Sequence, residues 1–261
     1  MRARTYTVIP MTSKVGLLEW VSHTTPLKSV IQDEMKQCPI FMDRNKSASD
    51  EEGTIDFAFL PSLAELRKVG CCGGDSTAYH PMFKTKSQRA VVDAFHAAVA
   101  GIPDDFIRRR LLRLAPGPED FLTLRAEFAQ TFAVSSLFGY ILGLGDRHLD
   151  NLLLDEGTGG IVQIDFGAAF GLATSLLGVP ELLPCRMTRQ LCGALKPLDG
   201  LGLVRHFMVK AMSALRTDEA YQVGVGGVGG CSTRACCMLL FVSDVSVDRD
   251  TVCNCVTFAT L

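Results

Sequence analysis

GLGDRHLDNLLLDEGTGGIVQIDFGAAFG, residues Gly143 to Gly171, is the stretch whose reading decides the fold. Leu152 to Leu154 and Ile161 to Ile164 are apolar runs, and the six residues between them, Asp155-Glu-Gly-Thr-Gly-Gly160, are turn formers. That arrangement predicts a β-hairpin. Before the hairpin stand Asp146, His148 and Asn151, and directly after it stands Asp165-Phe166-Gly167. Two strands that fold back on each other carry the residues before the first and after the second to the same end, so Asn151 and Asp165 are expected to converge.

The residue types say what such a convergence can do. Phosphoryl transfer uses a carboxylate to orient and deprotonate an acceptor hydroxyl, and oxygen ligands to hold Mg²⁺ against nucleotide phosphates. Protein kinases place the base Asp five residues before a metal-binding Asn and take a second metal ligand from Asp-Phe-Gly. Asp146 and Asn151 are five apart (151 − 146). Either motif alone is weak, since Asp-Phe-Gly is a common turn and Asp-Arg-His a common surface charge cluster. Together, at this spacing and joined by apolar hairpin strands, they form a strong signal.

Working outward, Pro118 to Leu142 reads as helix, in one long piece or two, and its apolar end, Thr131 to Gly145, as a buried helix too short to span a bilayer. Ser87 to Arg113 reads as two helices around Gly101-Ile102-Pro103. Leu27 to Met35, Thr188 to Leu195 and Gly202 to Leu215 also carry helical spacing. Tyr6 to Met11 and Leu17 to Val21 are short runs of β-formers. Asp43 to Gly74 is polar and turn-rich, and beyond Tyr221 the text turns to GVGGVGG, CC and CNC without clear periodicity. Gly224 to Gly229 matches Gly-x-Gly-x-x-Gly as a string, but no strand precedes it and no helix follows, so it is not read as a nucleotide loop.

Composition narrows the class. The chain has 261 residues, with 26 basic against 28 acidic, so no net field recruits nucleic acid or an anionic membrane. No signal-peptide pattern opens it. The 10 cysteines lack the Cys-x-x-Cys spacing of a zinc site and read as free thiols. Arg108, Arg109, Arg110 and Arg113 read as a solvated helix face, because no aromatic residues interleave as in a nucleic-acid surface.

The order Asp-Arg-His in GLGDRHLDN, followed by IDFG, resembles the phosphatidylinositol 3-kinase-related protein kinase family. The resemblance extends through YTVIPMTSKVGLLEWV, FLTLRAEFAQTFAVSSLFGYILGLGDRHLDN and VPELLPCRMTRQL. It implies an α+β, protein-kinase-like fold of the PI3/PI4-kinase type: a mostly helical C-lobe with an interlobe linker, the N-lobe largely missing. On that reading 1–25 is the end of the N-lobe and the linker. Residues 26–216 are the C-lobe, with the catalytic loop at 143–151, Asp-Phe-Gly at 165–167 and the activation loop at 168–187. The 217–261 tail is an atypical Gly/Cys-rich segment, disordered or mispredicted, and both ends read as those of a truncated gene product.

The resemblance also implies roles. Asp146 is the base, His148 faces the transferred phosphoryl group, and Asn151 and Asp165 are ligands of Mg²⁺. ATP is held through Leu18, Glu19, Trp20 and Val21 in the linker, with Leu153 and Ile164 as an apolar floor. Trp20 as a core tryptophan, and Leu153 and Ile164 as plain hairpin core, remain alternatives. Arg147 reads as a structural ion pair behind the loop. Pro180, Glu181 and Leu182 lie where the family lines the site for the residue after the acceptor, implying Gln there in protein substrates phosphorylated on Ser or Thr. A protein acceptor agrees with the absence of Lys and Arg from Ala168 to Cys185, where a phosphoinositide headgroup needs cations. The implied setting is nuclear, without membrane or direct nucleic-acid contact from this segment, in a parent protein acting in a DNA-end complex in double-strand break repair by non-homologous end joining. The alternative is a catalytically inactive kinase-like fragment that acts at most as a binding module.

Overall fold

The computed structural model describes residues 4–12, 15–38, 99–173 and 185–216, together with positions 89, 93 and 96. Among them the chain runs β1 (Val8–Pro10), β2 (Gly16–Leu18), β3 (Thr24–Pro26), α1 (Leu27–Lys36), α2 (Phe106–Leu114), α3 (Pro118–Ile141), β4 (Leu152–Asp155), β5 (Ile161–Gln163), α4 (Arg189–Leu195) and α5 (Gly200–Leu215). The polar segment from Asp43 to Gly74 and the tail beyond Arg216 lie outside the described residues, as does most of the first helix expected after Ser87. No helix of the described residues is long and apolar enough to cross a membrane.

The segment expected as one or two helices is a single helix, α3, of 24 residues. Extended Gly117 precedes it, Pro118 opens it where a missing N–H costs nothing, and Glu119 and Asp120 complement its positive end. Leu124, Phe128, Phe132 and Leu137 recur along it at helical spacing and enter the core. That core joins α3 to α5, to α2 and α4, and to one face of the hairpin through Leu152, Leu154 and Ile161. Phe106 and Phe128 are fully buried, each worth roughly 1.5–3 kcal/mol of hydrophobic stabilisation.

The expected hairpin is present, with Leu152 opposite Gln163 and Leu154 opposite Ile161. It belongs to a three-stranded antiparallel sheet, β3-β4-β5, in which Thr24 pairs with Asp155 and Pro26 with Leu153. β3 was not legible as a strand because Thr-Thr-Pro has neither length nor alternation. Strands β1 and β2 form a separate hairpin. The sheet is bolted to α3 at two points. Thr131 Oγ1 donates to Glu127 O (2.7 Å) and accepts from Ile161 N (2.8 Å). In the β4–β5 turn, Gly159 has φ +76°, and a Cβ there would lie 2.6 Å from Leu124 O.

The basic run on α2 departs from the solvated face expected for it. Arg108 and Arg109 bond Asp105 at 3.3 and 3.0 Å, Arg113 bonds Glu34 of α1 at 2.6 Å, and Arg110 bonds Glu156 in the β4–β5 turn. The cations therefore tie α2 to α1 and to the sheet. Burial pushes the Glu34 carboxyl up from its ordinary value, against the pull of Arg113, Arg110 and Arg109. Cys38, Cys185 and Cys192 are free thiols, as expected, and burial pushes the Cys192 thiol up.

Candidate active site

The loop from Gly143 to Asn151 leaves α3 through a left-handed Gly143 (φ +57°), where a Cβ would lie 2.9 Å from Gly171 N. That close approach lets two stretches pair. Gly145 N donates to Ala168 O (2.8 Å), Phe170 N to Leu142 O (2.8 Å) and Gly171 N to Gly143 O (2.9 Å). The Asp146 loop is thus joined by backbone to the segment following Asp165-Phe166-Gly167. Asp146 and Asp165 themselves both have φ +58°. Asp tolerates the left-handed region better than most residues, and such positions persist where surrounding structure over-determines them.

Arg147 supplies much of that determination. Its side chain is buried, and the guanidinium donates to Gly145 O and Ile164 O, each at 2.8 Å, and to Asp165 O. The structural role expected for Arg147 holds, but it is exerted on backbone carbonyls of both stretches. On its other face the guanidinium lies 5.8 Å from the Phe166 ring centroid. Arg186 extends the cluster by donating to Arg147 O (3.3 Å).

Asn151 is buried, and Ile164 N donates to its carbonyl (3.1 Å), continuing the hairpin ladder one step beyond Leu152 and Gln163. Asp165 is the next residue, so the hairpin brings the two expected metal ligands to one end. The Asn151 amide donates from Nδ2 to Asp146 O (2.9 Å), while Asp165 Oδ1 accepts from Gly167 N (3.1 Å). Asn151 Oδ1 and Asp165 Oδ2 accept no hydrogen bond from the described residues. Two spare oxygens of this kind suit a hard cation such as Mg²⁺. No group of three or more His, Cys, Asp and Glu side chains assembles among the described residues.

His148 is half-exposed, with Nε2 3.9 Å from Asp146 Oδ1 and Nδ1 3.9 Å from Asp150 Oδ2. Lys28, at the start of α1, reaches the same Asp150 oxygen at 2.9 Å. The residues expected to form the linker lie apart from the core. Leu18 and Trp20 are 68% and 91% exposed, which excludes Trp20 as a core tryptophan. The Glu19 carboxylate accepts from Thr7 N (2.8 Å), a bond that holds it below its ordinary value, and Val21 is half-buried. Leu153 is buried and Ile164 half-buried; neither belongs to the core cluster that Leu152, Leu154 and Ile161 enter. By strand alternation Leu153 points to the opposite face of the sheet.

The model of the family described as phosphatidylinositol 3- and 4-kinase matches residues 1–223. The chain belongs to that family. It is 37% identical over 221 residues to the DNA-dependent protein kinase catalytic subunit of Gallus gallus, covering 84% of this chain and 5% of that protein. To the serine/threonine-protein kinase mTor of Drosophila melanogaster it is 31% identical over 214 residues, covering 82% of this chain and 8% of that one. Among solved structures, the FAT and kinase domain of CtTel1 matches with a TM-score of 0.67 at 24% identity, over 99% of this chain and 18% of that chain. The chain therefore has the PI3/PI4-kinase fold, and it spans about one twentieth of the length of the first of these curated relatives.

Within this PI3/PI4-kinase frame, Pro180, Glu181 and Leu182 lie outside the described residues. One site residue escaped the sequence reading. Tyr6 stacks on Phe166, with ring centroids 6.2 Å apart and planes 16° from parallel, so Phe166 has Tyr6 and Arg147 as ring partners. Burial raises the Tyr6 hydroxyl above its ordinary value, and the Asp165 carboxylate adds to the rise. Tyr6 stood in YTVIP, read as a run of β-formers and as part of the family resemblance, with no role given to the ring.

Proposed function

We propose that this chain is the catalytic region of an ATP-dependent serine/threonine protein kinase. The observation that supports it is the junction just described: Arg147 donates to carbonyls on both sides, and Asn151 pairs with Ile164, so Asp146, Asn151 and Asp165 belong to one small backbone assembly. On this reading residues 1–25 form the last strands of an N-lobe and the interlobe linker, 26–216 the C-lobe, and 168–187 the activation loop.

Asp146 accepts the proton of the acceptor hydroxyl as its oxygen attacks the γ-phosphoryl group, and ADP is the leaving group. His148, held between two carboxylates, presents an imidazole toward the transferred group. Asn151 and Asp165 hold Mg²⁺, which when bound neutralises phosphate charge. Leu18, Glu19, Trp20 and Val21 contact adenine, with Leu153 and Ile164 beneath it. Leu153, facing away from the core cluster, suits that floor.

A protein hydroxyl is the acceptor we favour, because Ala168 to Cys185 carries no Lys or Arg to hold a lipid headgroup. Pro180, Glu181 and Leu182 line the site for a Gln following the Ser or Thr. By its relation to the DNA-dependent kinase subunit, the chain acts in the nucleus, in double-strand break repair within a DNA-end complex whose DNA contacts are made elsewhere.

Trp20 is the only tryptophan, which makes the test direct. Mg²⁺·ATP titrated into the 261-residue chain should change Trp20 emission saturably, and Asp165→Ala should weaken that binding. Asp146→Asn should leave binding nearly intact while lowering phosphorylation of a Ser-Gln peptide by about 10²–10⁴-fold, the usual contribution of a general base. An equal loss of binding and turnover in Asp146→Asn would assign Asp146 to structure, and a wild-type chain that binds no nucleotide would defeat the reading altogether.

A further inference from the structure

Asp155 closes β4 and is 5% exposed, yet it is a carboxylate. Its two oxygens do different work. Oδ1 accepts from Gly157 N (2.9 Å) and Thr158 N (3.3 Å), closing the β4–β5 turn. Oδ2 accepts from the Arg4 guanidinium, 151 residues earlier in the chain. Burial pushes the Asp155 carboxyl up, but the Arg4 and Gly157 hydrogen bonds outweigh it and hold the group below its ordinary value.

Arg4 has a second contact: its other nitrogen donates to Ser22 O (3.1 Å). Residues 4 and 22 are the two ends of the β1–β2 hairpin, whose ladder continues outward through Glu19 N to Thr7 O (2.8 Å). One guanidinium therefore ties both legs of that hairpin together and ties them to the β4–β5 turn. The turn reinforces the anchor from the next residue, since Glu156 N donates to His23 O (3.0 Å) and Thr25 Oγ1 donates to Glu156 Oε1 (3.1 Å). Beyond this anchor and the stacking of Tyr6 on Phe166, the hairpin is open to solvent: Val8, Ile9, Leu17, Leu18 and Trp20 are all more than half exposed.

We propose that Asp155, acting through Arg4, is a positioning residue for the nucleotide site, setting where the Leu18–Val21 segment stands relative to the strand that carries Leu153. The inference rests on the assignment of that segment to adenine. The geometry gives the reason: Leu153 and Asp155 lie two residues apart on one strand, so the carboxylate that fixes the turn also references the hairpin to the strand bearing the floor. A neutral acceptor in place of Asp155 keeps the turn closed and loses the charge that holds Arg4. A Lys in place of Arg4 keeps the charge but cannot fork between Asp155 and Ser22.

The test uses Arg4→Ala, Arg4→Lys, Asp155→Asn and the Arg4→Ala/Asp155→Asn double variant of the 261-residue chain, with two readouts. Trp20 steady-state anisotropy without nucleotide reports whether the hairpin is tethered; Mg²⁺·ATP titration by calorimetry reports the site. Arg4→Ala and Asp155→Asn should each lower the anisotropy and weaken ATP binding by about 10–150-fold, the span expected for a charge-assisted hydrogen bond. The double variant should be no worse than either single one, as for partners in one interaction, and Arg4→Lys should restore part of the affinity. Wild-type affinity in Arg4→Ala, additive losses in the double variant, or lowered anisotropy with unchanged affinity would each overturn the positioning role while leaving the nucleotide site standing. A wild-type chain that binds no ATP would instead remove the site, and the positioning role with it.

Discussion

Replacing Arg147 by Met removes a planar cation that makes three hydrogen bonds from a side chain nearly sealed from solvent. Hydrogen bonds to a charged partner are worth roughly 1.5–3 kcal/mol each, but the three share one group and are not additive. Some of the loss is recovered, because Asp165 is exposed and its carbonyl can turn to water. A net cost of about 3–5 kcal/mol follows, because the buried carbonyls left without a donor lose about 1–3 kcal/mol each. For a domain of this size each kcal/mol lowers Tm by about 2–4 °C, so a fall on the order of 6–20 °C is expected. Arg147→Lys should fall between, since one ammonium cannot fork to three carbonyls. Scanning calorimetry measures the loss, and amide exchange at Ile164, whose N–H bonds Asn151 O, localises it to the junction. A Met variant that melts with the wild type, or a drop without faster exchange at Ile164, would refute the claim that this side chain holds the two stretches together.

Two further predictions concern the frame around the site. Thr131→Val leaves Ile161 N buried without its acceptor and should cost about 1–3 kcal/mol, seen as a lower urea midpoint with unchanged slope; a change below about 0.5 kcal/mol would mean another group takes the bond. Glu34 holds its proton more tightly folded than unfolded, so it makes stability decline as pH rises from the ordinary Glu value through the raised one. Glu34→Gln should flatten that decline in urea titrations run upward from the ordinary Glu range at about pH 4, and an unaltered slope would place the raised carboxyl elsewhere.

Much of the site was written locally. Asp146, His148 and Asn151 share six residues of sequence, and the turn formers from Asp155 to Gly160 force the reversal that brings Asp165 back beside Asn151. Helix α3 was equally legible, because its core positions repeat at the helical period and Pro118 marks its start. These features depend on near neighbours, and near neighbours are what a linear text records. Residue identity cannot say which distant group a charged side chain will meet. Arg4 and Asp155 are 151 residues apart, and the α2 arginines look solvated until α1 and the β4–β5 turn bring Glu34 and Glu156 against them. Arg147 bonds carbonyls, which every residue possesses, so no pattern of residue types marks its partners. The sequence determined the chemistry available and the hairpin that gathers it; tertiary structure decided which buried cations hold that chemistry in place, because those contacts exist only once distant segments have packed.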